Sequence, residues 1–160
     1  MDFDQNETLI SGENDATWRA WYWQCCTEFG FFATTNQEEH TFGSSMPLEY
    51  FEKWCQDAFG EDLTSRTLHQ SVNKTNEEYQ GFSPNVTNVV WVHGVLDPWR
   101  PLGITSDLNQ ASPAILIPGA SHCADMLPSD PDDSQEMKEA KKRIGALVSQ
   151  WVTDPVYHVY

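Results

Sequence analysis

The sequence has 160 residues, 39% of them hydrophobic and 12% aromatic, which argues for a packed core and against a disordered chain. Its formal charge of −15, from 24 acidic and 9 basic side chains, repels phosphate backbones and anionic lipid heads and so argues against nucleic acid and membrane partners. No stretch is apolar enough to span a bilayer, and the length favours one folded unit.

Residues 1–17 are polar and read as a loop or the frayed end of a longer element. The start, Met1-Asp2-Phe3-Asp4-Gln5-Asn6, is acidic where a signal peptide needs a basic start and an apolar run. Residues 18–32, from Trp18 to Phe32, are aromatic nearly throughout with no clean period of 2 or 3.6, so burial on more than one side is expected. Residues 33–46 are loop-like. Pro47 to Gly60 reads as a helix opened by proline and closed by glycine, with Leu48, Phe51, Trp54, Cys55 and Phe59 on its apolar face. The stretch 61–85 is polar, either an exposed glycosylated excursion or a short helix around 64–73.

The second half is more regular. Residues 88–94, Asn-Val-Val-Trp-Val-His-Gly, and residues 114–118, Ala-Ile-Leu-Ile-Pro, are short apolar runs expected as strands buried on both faces. The connection between them is long enough for a parallel crossover, with a short helix expected over Ile104 to Gln110. The acidic cluster from Ser129 to Glu136 reads as the solvated entry of a helix. That helix, Lys138 to Val152, places Ile144, Leu147, Val148 and Trp151 on one face.

Four cysteines, Cys25, Cys26, Cys55 and Cys123, show no zinc-finger spacing, so disulfides are a better reading than a structural metal. Sequons at Asn6, Asn73 and Asn85 point, with the cysteines, to an oxidising compartment. A chain with this signature and no export signal reads as a fragment or an incomplete gene model.

Chemistry is expected where the two strands end. Asp97 follows the first strand's Gly94 by three residues, and His122 follows Gly119 by three. Loops leaving one edge of a parallel sheet bring a carboxylate to an imidazole, in the acid-then-base order of an α/β-hydrolase triad. There the imidazole shuttles a proton to and from a serine, and the carboxylate fixes its tautomer. Spacing alone also fits an ordinary Asp-Pro turn and a capped polar histidine.

Three blocks add a resemblance. Trp91-Val92-His93-Gly94-Val95-Leu96-Asp97-Pro98-Trp99, Ile117-Pro118-Gly119-Ala120-Ser121-His122-Cys123-Ala124-Asp125-Met126 and Trp21-Tyr22-Trp23-Gln24-Cys25-Cys26-Thr27-Glu28-Phe29-Gly30 resemble motifs of one serine carboxypeptidase family. That family contains lysosomal Pro-X carboxypeptidase, dipeptidyl peptidase II and thymus-specific serine protease. The third block departs from it in having Trp23 at a tyrosine position. The resemblance implies an α/β fold, the C-terminal portion of an α/β-hydrolase spanning residues 18–155, with 1–17 a polar segment and 156–160 a tail. It implies Asp97 and His122 as triad acid and base, and a disulfide between Cys26 and Cys55. Cys25 stays open, and Cys123 is either a small buried thiol or bonded to Cys25 or to residues elsewhere. Trp99 lines a pocket for proline or another small apolar side chain, or is a core ring. Glu28 is a buried carboxylate near the site or a structural group.

The implied activity is a serine-type exopeptidase acting on peptides with proline or a small apolar residue near a terminus, without a cofactor, in a lysosomal or extracellular setting. Carboxypeptidase and dipeptidyl peptidase action, and the oligomeric state, are left open. No Gly-x-Ser-x-Gly elbow occurs in these 160 residues, so the nucleophile is not among them. The alternative is a truncated, catalytically inactive paralogue that binds a peptide or partner. A weaker reading is a metal or cysteine hydrolase built on His93, His122 and Asp125, or on Cys25 or Cys26 with His122.

Overall fold

The computed structural model describes residues 13–35 and 43–153. The Asn6 sequon, residues 1–12 and the tail at 156–160 lie outside the described residues. The chain divides after Gly81 into two compact units, each with its own hydrophobic cluster.

In the first unit, helix α1 (Glu13–Gln24) runs directly into a π-helical turn, Cys25–Phe29. The sequence hides this helix because bulky rings occupy all its sides. Expected burial on more than one side is not met: Trp18 is 61% and Trp23 47% exposed, and within residues 18–32 only Cys25 and Cys26 are fully enclosed. The reason is that ring contacts gather on the side facing α2 (Leu48–Phe59), where Tyr22 meets Trp54 at 4.7 Å and Trp23 meets Phe59 at 5.3 Å between ring centroids. The Arg19 guanidinium lies 4.8 Å from the centre of the Phe59 ring, a cation–π contact.

Helix α2 starts after Pro47 and ends at Gly60, whose amide donates to the Gln56 carbonyl, as the punctuation predicts. Helix α3 (Ser65–Tyr79) is capped by the Thr64 hydroxyl, which accepts from the Thr67 amide at 3.3 Å. It extends beyond the expected 64–73, because its later turns are polar and carry no apolar repeat. A disulfide joins Cys26 to Cys55, and Leu68 completes the buried centre with Trp54, Phe59, Leu63 and Val72 around it. The π-helical turn, α2 and α3 are thereby held around one sulfur bridge.

The second unit is built on two parallel strands, β1 (Trp91–Gly94) and β2 (Ala114–Ile117), paired Trp91 to Ala114 through Gly94 to Ile117. β1 begins later than expected because Asn88 has φ 60°, outside the extended region. Successive side chains point to opposite faces. On one face Val90, Val92, Ile115 and Ile117 pack against α4 (Gln135–Thr153) through Met137, Ala140, Ile144 and Leu147. The expectation of strands buried on both faces fails at Leu116, which is 40% exposed on the other side. On α4 the packed stripe is Met137, Ala140, Ile144 and Leu147, while Val148 is exposed at its edge.

The acidic cluster does lead into α4, but it is internally bonded. The Ser134 hydroxyl accepts from the Met137 amide at 3.1 Å, and Lys141 bonds the Asp133 carboxylate at 2.8 Å. The Lys141 hydrogen bond, with the Asp130 amide, holds the Asp133 carboxyl below its ordinary range.

The expected helix over Ile104 to Gln110 is absent; a single 3-10 turn forms earlier, at Arg100–Leu102. Asp107 instead accepts from the Ala114 amide at 2.7 Å, and Asn109 accepts from Ala111 at 2.9 Å. These short polar side chains supply bonds that compete with helix formation.

Candidate active site

Both strands end in a turn at the same sheet edge, because β1 and β2 are parallel and in register through Gly94 and Ile117. The two turns are stitched together by backbone bonds: Val95 donates to Ile117 at 3.0 Å and Leu96 to Ala120 at 2.9 Å. Gly94 makes this approach feasible. A Cβ there would stand 2.4 Å from the carbonyl oxygens of both Ala120 and Ser121.

Asp97 sits on the first turn and His122 on the second. The His122 Nδ1–H donates to Asp97 Oδ2 at 2.8 Å, across 25 residues of sequence. The other carboxylate oxygen, Oδ1, accepts the Trp99 amide at 2.8 Å. Asp97 is only 8% exposed, whereas the His122 side chain is 57% exposed. Burial pushes the Asp97 carboxyl up, but the bonds from His122 and the Trp99 amide, with the His122 and His93 rings nearby, outweigh it and hold it below the usual 3.8. An ionised Asp97 accepting from Nδ1 leaves the lone pair of a neutral imidazole on Nε2. The arrangement can therefore take a proton at Nε2 and stabilise the resulting imidazolium with a buried carboxylate.

Trp99 is half-buried, two residues from Asp97, and tied to it through its backbone amide. Glu28 is exposed in this chain rather than a buried carboxylate within it. Cys123 is exposed rather than a small buried thiol, and it occupies the left-handed region at φ 54° directly after His122. Cys25 is buried, and that burial pushes its thiol up to about 11. With Cys26 consumed in the disulfide, neither cysteine supplies the thiolate that a cysteine hydrolase needs. Among the described residues no three or more His, Cys, Asp or Glu side chains gather as metal ligands.

Sequence reasoning offered His93 only as a metal ligand and missed the bond it makes at this edge. His93 projects from β1 on the face opposite Val92, and its Nε2–H donates to the Ile104 carbonyl at 3.0 Å. Only the neighbouring Gly103, which leaves room for the ring, hints at it in the sequence.

Residues 2–144 match the family model described as Serine carboxypeptidase S28. The chain is 38% identical over 148 residues to the thymus-specific serine protease of Mus musculus, covering 92% of this chain and 28% of that protein. It is 34% identical over 146 residues to the thymus-specific serine protease of Homo sapiens, covering 91% and 27% respectively. It is 28% identical over 169 residues to a protein of Arthroderma benhamiae described as "Probable extracellular serine carboxypeptidase", covering 95% and 23%. The chain thus spans about a quarter of the length of these relatives. A match over most of the sequence, including both turns that carry Asp97 and His122, means that the chain belongs to the serine carboxypeptidase S28 family.

Proposed function

We propose that this chain supplies the acid and base of a serine peptidase site, Asp97 and His122, within an α/β-hydrolase architecture. The single observation that carries the reading is the 2.8 Å bond from His122 Nδ1 to a buried Asp97. In the proposed reaction the Nε2 lone pair takes the proton of a serine hydroxyl as that oxygen attacks the scissile carbonyl. The same proton passes to the leaving amine, while Asp97 keeps the ring oriented and compensates its charge. The serine itself belongs to sequence outside these 160 residues, since no Gly-x-Ser-x-Gly occurs among them.

The substrate reading is an exopeptidase acting near proline or a small apolar residue, with the half-buried Trp99 forming one wall of its pocket. The relatives described as serine proteases and as a serine carboxypeptidase support peptide hydrolysis. Passage through the secretory pathway to a lysosomal or extracellular destination accords with the disulfide and with exposed sequon asparagines at Asn73 and Asn85. Glycosylation at Asn6, Asn73 and Asn85 is part of the same proposal.

Peptidase kinetics on a polypeptide joining this chain to its family's serine elbow test the reading, with proline-containing peptides as substrates. Asp97→Asn and His122→Ala are each expected to lower kcat by about 10³- to 10⁴-fold with little change in KM. Activity at the unsubstituted level in either variant would remove the acid–base assignment. Peptide binding without turnover by the unsubstituted protein would favour the inactive, peptide-binding alternative.

A further inference from the structure

We propose that His93 is a positioning residue for this site, holding the loop from Gly94 to Ile104 so that Asp97 meets His122. The inference rests on the acid–base reading of that pair. The start of the loop is tied to the end of β2 by the Val95 and Leu96 amides, and its middle is wound by the Arg100–Leu102 turn. Its far end returns to β1 through the His93 side chain, whose Nε2–H reaches the Ile104 carbonyl at 3.0 Å. Asp97 and Trp99 lie inside the segment that this bond closes. Ile104 is buried, so its carbonyl loses water on folding and gains from a fixed donor.

The fit of the ring is specific. A Cβ on Gly103 would stand 2.1 Å from His93 Cε1 and 2.6 Å from Nε2, so the ring lies flush against backbone that only glycine leaves open. Because Ile104 presents a carbonyl, the bond requires a proton on Nε2, and a donor is needed rather than merely an aromatic filler. The ring also lies near enough to Asp97 to act on it electrostatically, in the direction that favours the carboxylate. His93 touches neither substrate nor reacting atoms in this account; it acts through the geometry of Asp97.

Proton NMR of the whole 160-residue chain separates positioning from packing by following solvent exchange of the His122 Nδ1 proton. His93→Phe fills the same space without a donor, and is expected to speed that exchange about tenfold as the Asp97 loop opens more often. His93→Gln, whose amide can reach the same carbonyl, is expected to restore slow exchange. Exchange at the unsubstituted rate in His93→Phe would overturn the inference, since packing alone would then suffice. If His93→Phe does not fold, His93→Asn, too short to reach Ile104, is read in its place: faster exchange supports the inference and an unchanged rate overturns it. A failure of the acid–base reading is seen before any His93 variant is made, as the absence of an Asp97-dependent Nδ1 proton in the unsubstituted chain, and the inference falls with it.

Discussion

At the scale of single residues, the site depends on a carboxylate that is nearly enclosed yet ionised. Its value is depressed below 3.8 in the folded chain, so the fold favours the charged form. The resulting stabilisation is complete above the ordinary carboxylate range and is lost as pH falls through the depressed value. Urea unfolding between pH 6 and 2, as illustrative end points, is expected to show a loss at the acid end that is smaller in Asp97→Asn, the remainder coming from groups such as Asp133. Gly94 is the second sensitive position, because any side chain there collides with two backbone carbonyls. Gly94→Ala is expected to cost about 1–3 kcal/mol by overpacking, read from the urea midpoint, and to separate the two turns. The thiols should differ sharply: under native conditions iodoacetamide is expected to modify exposed Cys123 and spare buried Cys25, as peptide mass spectrometry would show. Modification of Cys25 at the faster rate would contradict the packing described for the π-helical turn.

At the scale of elements, the Cys26–Cys55 bridge closes a segment with a sequence separation of 29 residues and sits at the centre of the first unit's core. Replacing both cysteines by serine is expected to lower stability by about 2–5 kcal/mol, measured by denaturant unfolding of the whole chain. What the sequence made legible follows from how each element declares itself. α2 is marked by Pro47 and Gly60, and β1 and β2 by compact apolar runs, so both strands were expected near their observed places. α1 was not legible, because its rings contact α2 on one side while others, including Trp18, face solvent, leaving no periodic contrast. α3 was underestimated for the opposite reason: beyond Leu68 and Val72 its sequence is mostly polar. The absent helix after Ile104 reflects contacts over distance, with Asp107 committed to Ala114 on the next strand. A local pattern cannot contain that commitment, and the His93–Ile104 bond escaped notice for the same reason.

At the scale of the molecule, the chain belongs to the serine carboxypeptidase S28 family, and a shared sheet edge brings Asp97 to His122. The juxtaposition of Asp97 and His122 was legible because two strands ending in the same direction leave few places for their turns. Their bond length, the Trp99 amide on Oδ1 and the close approach at Gly94 were not, since each depends on backbone geometry after folding. Covalent labelling with a fluorophosphonate, which reacts only with an activated serine, tests the central claim most directly. The 160-residue chain alone is expected to remain unlabelled, and a polypeptide joining it to a Gly-x-Ser-x-Gly elbow of its family to label in a manner abolished by His122→Ala. Labelling of the 160 residues by themselves, or undiminished labelling of the longer protein carrying His122→Ala, would contradict the account.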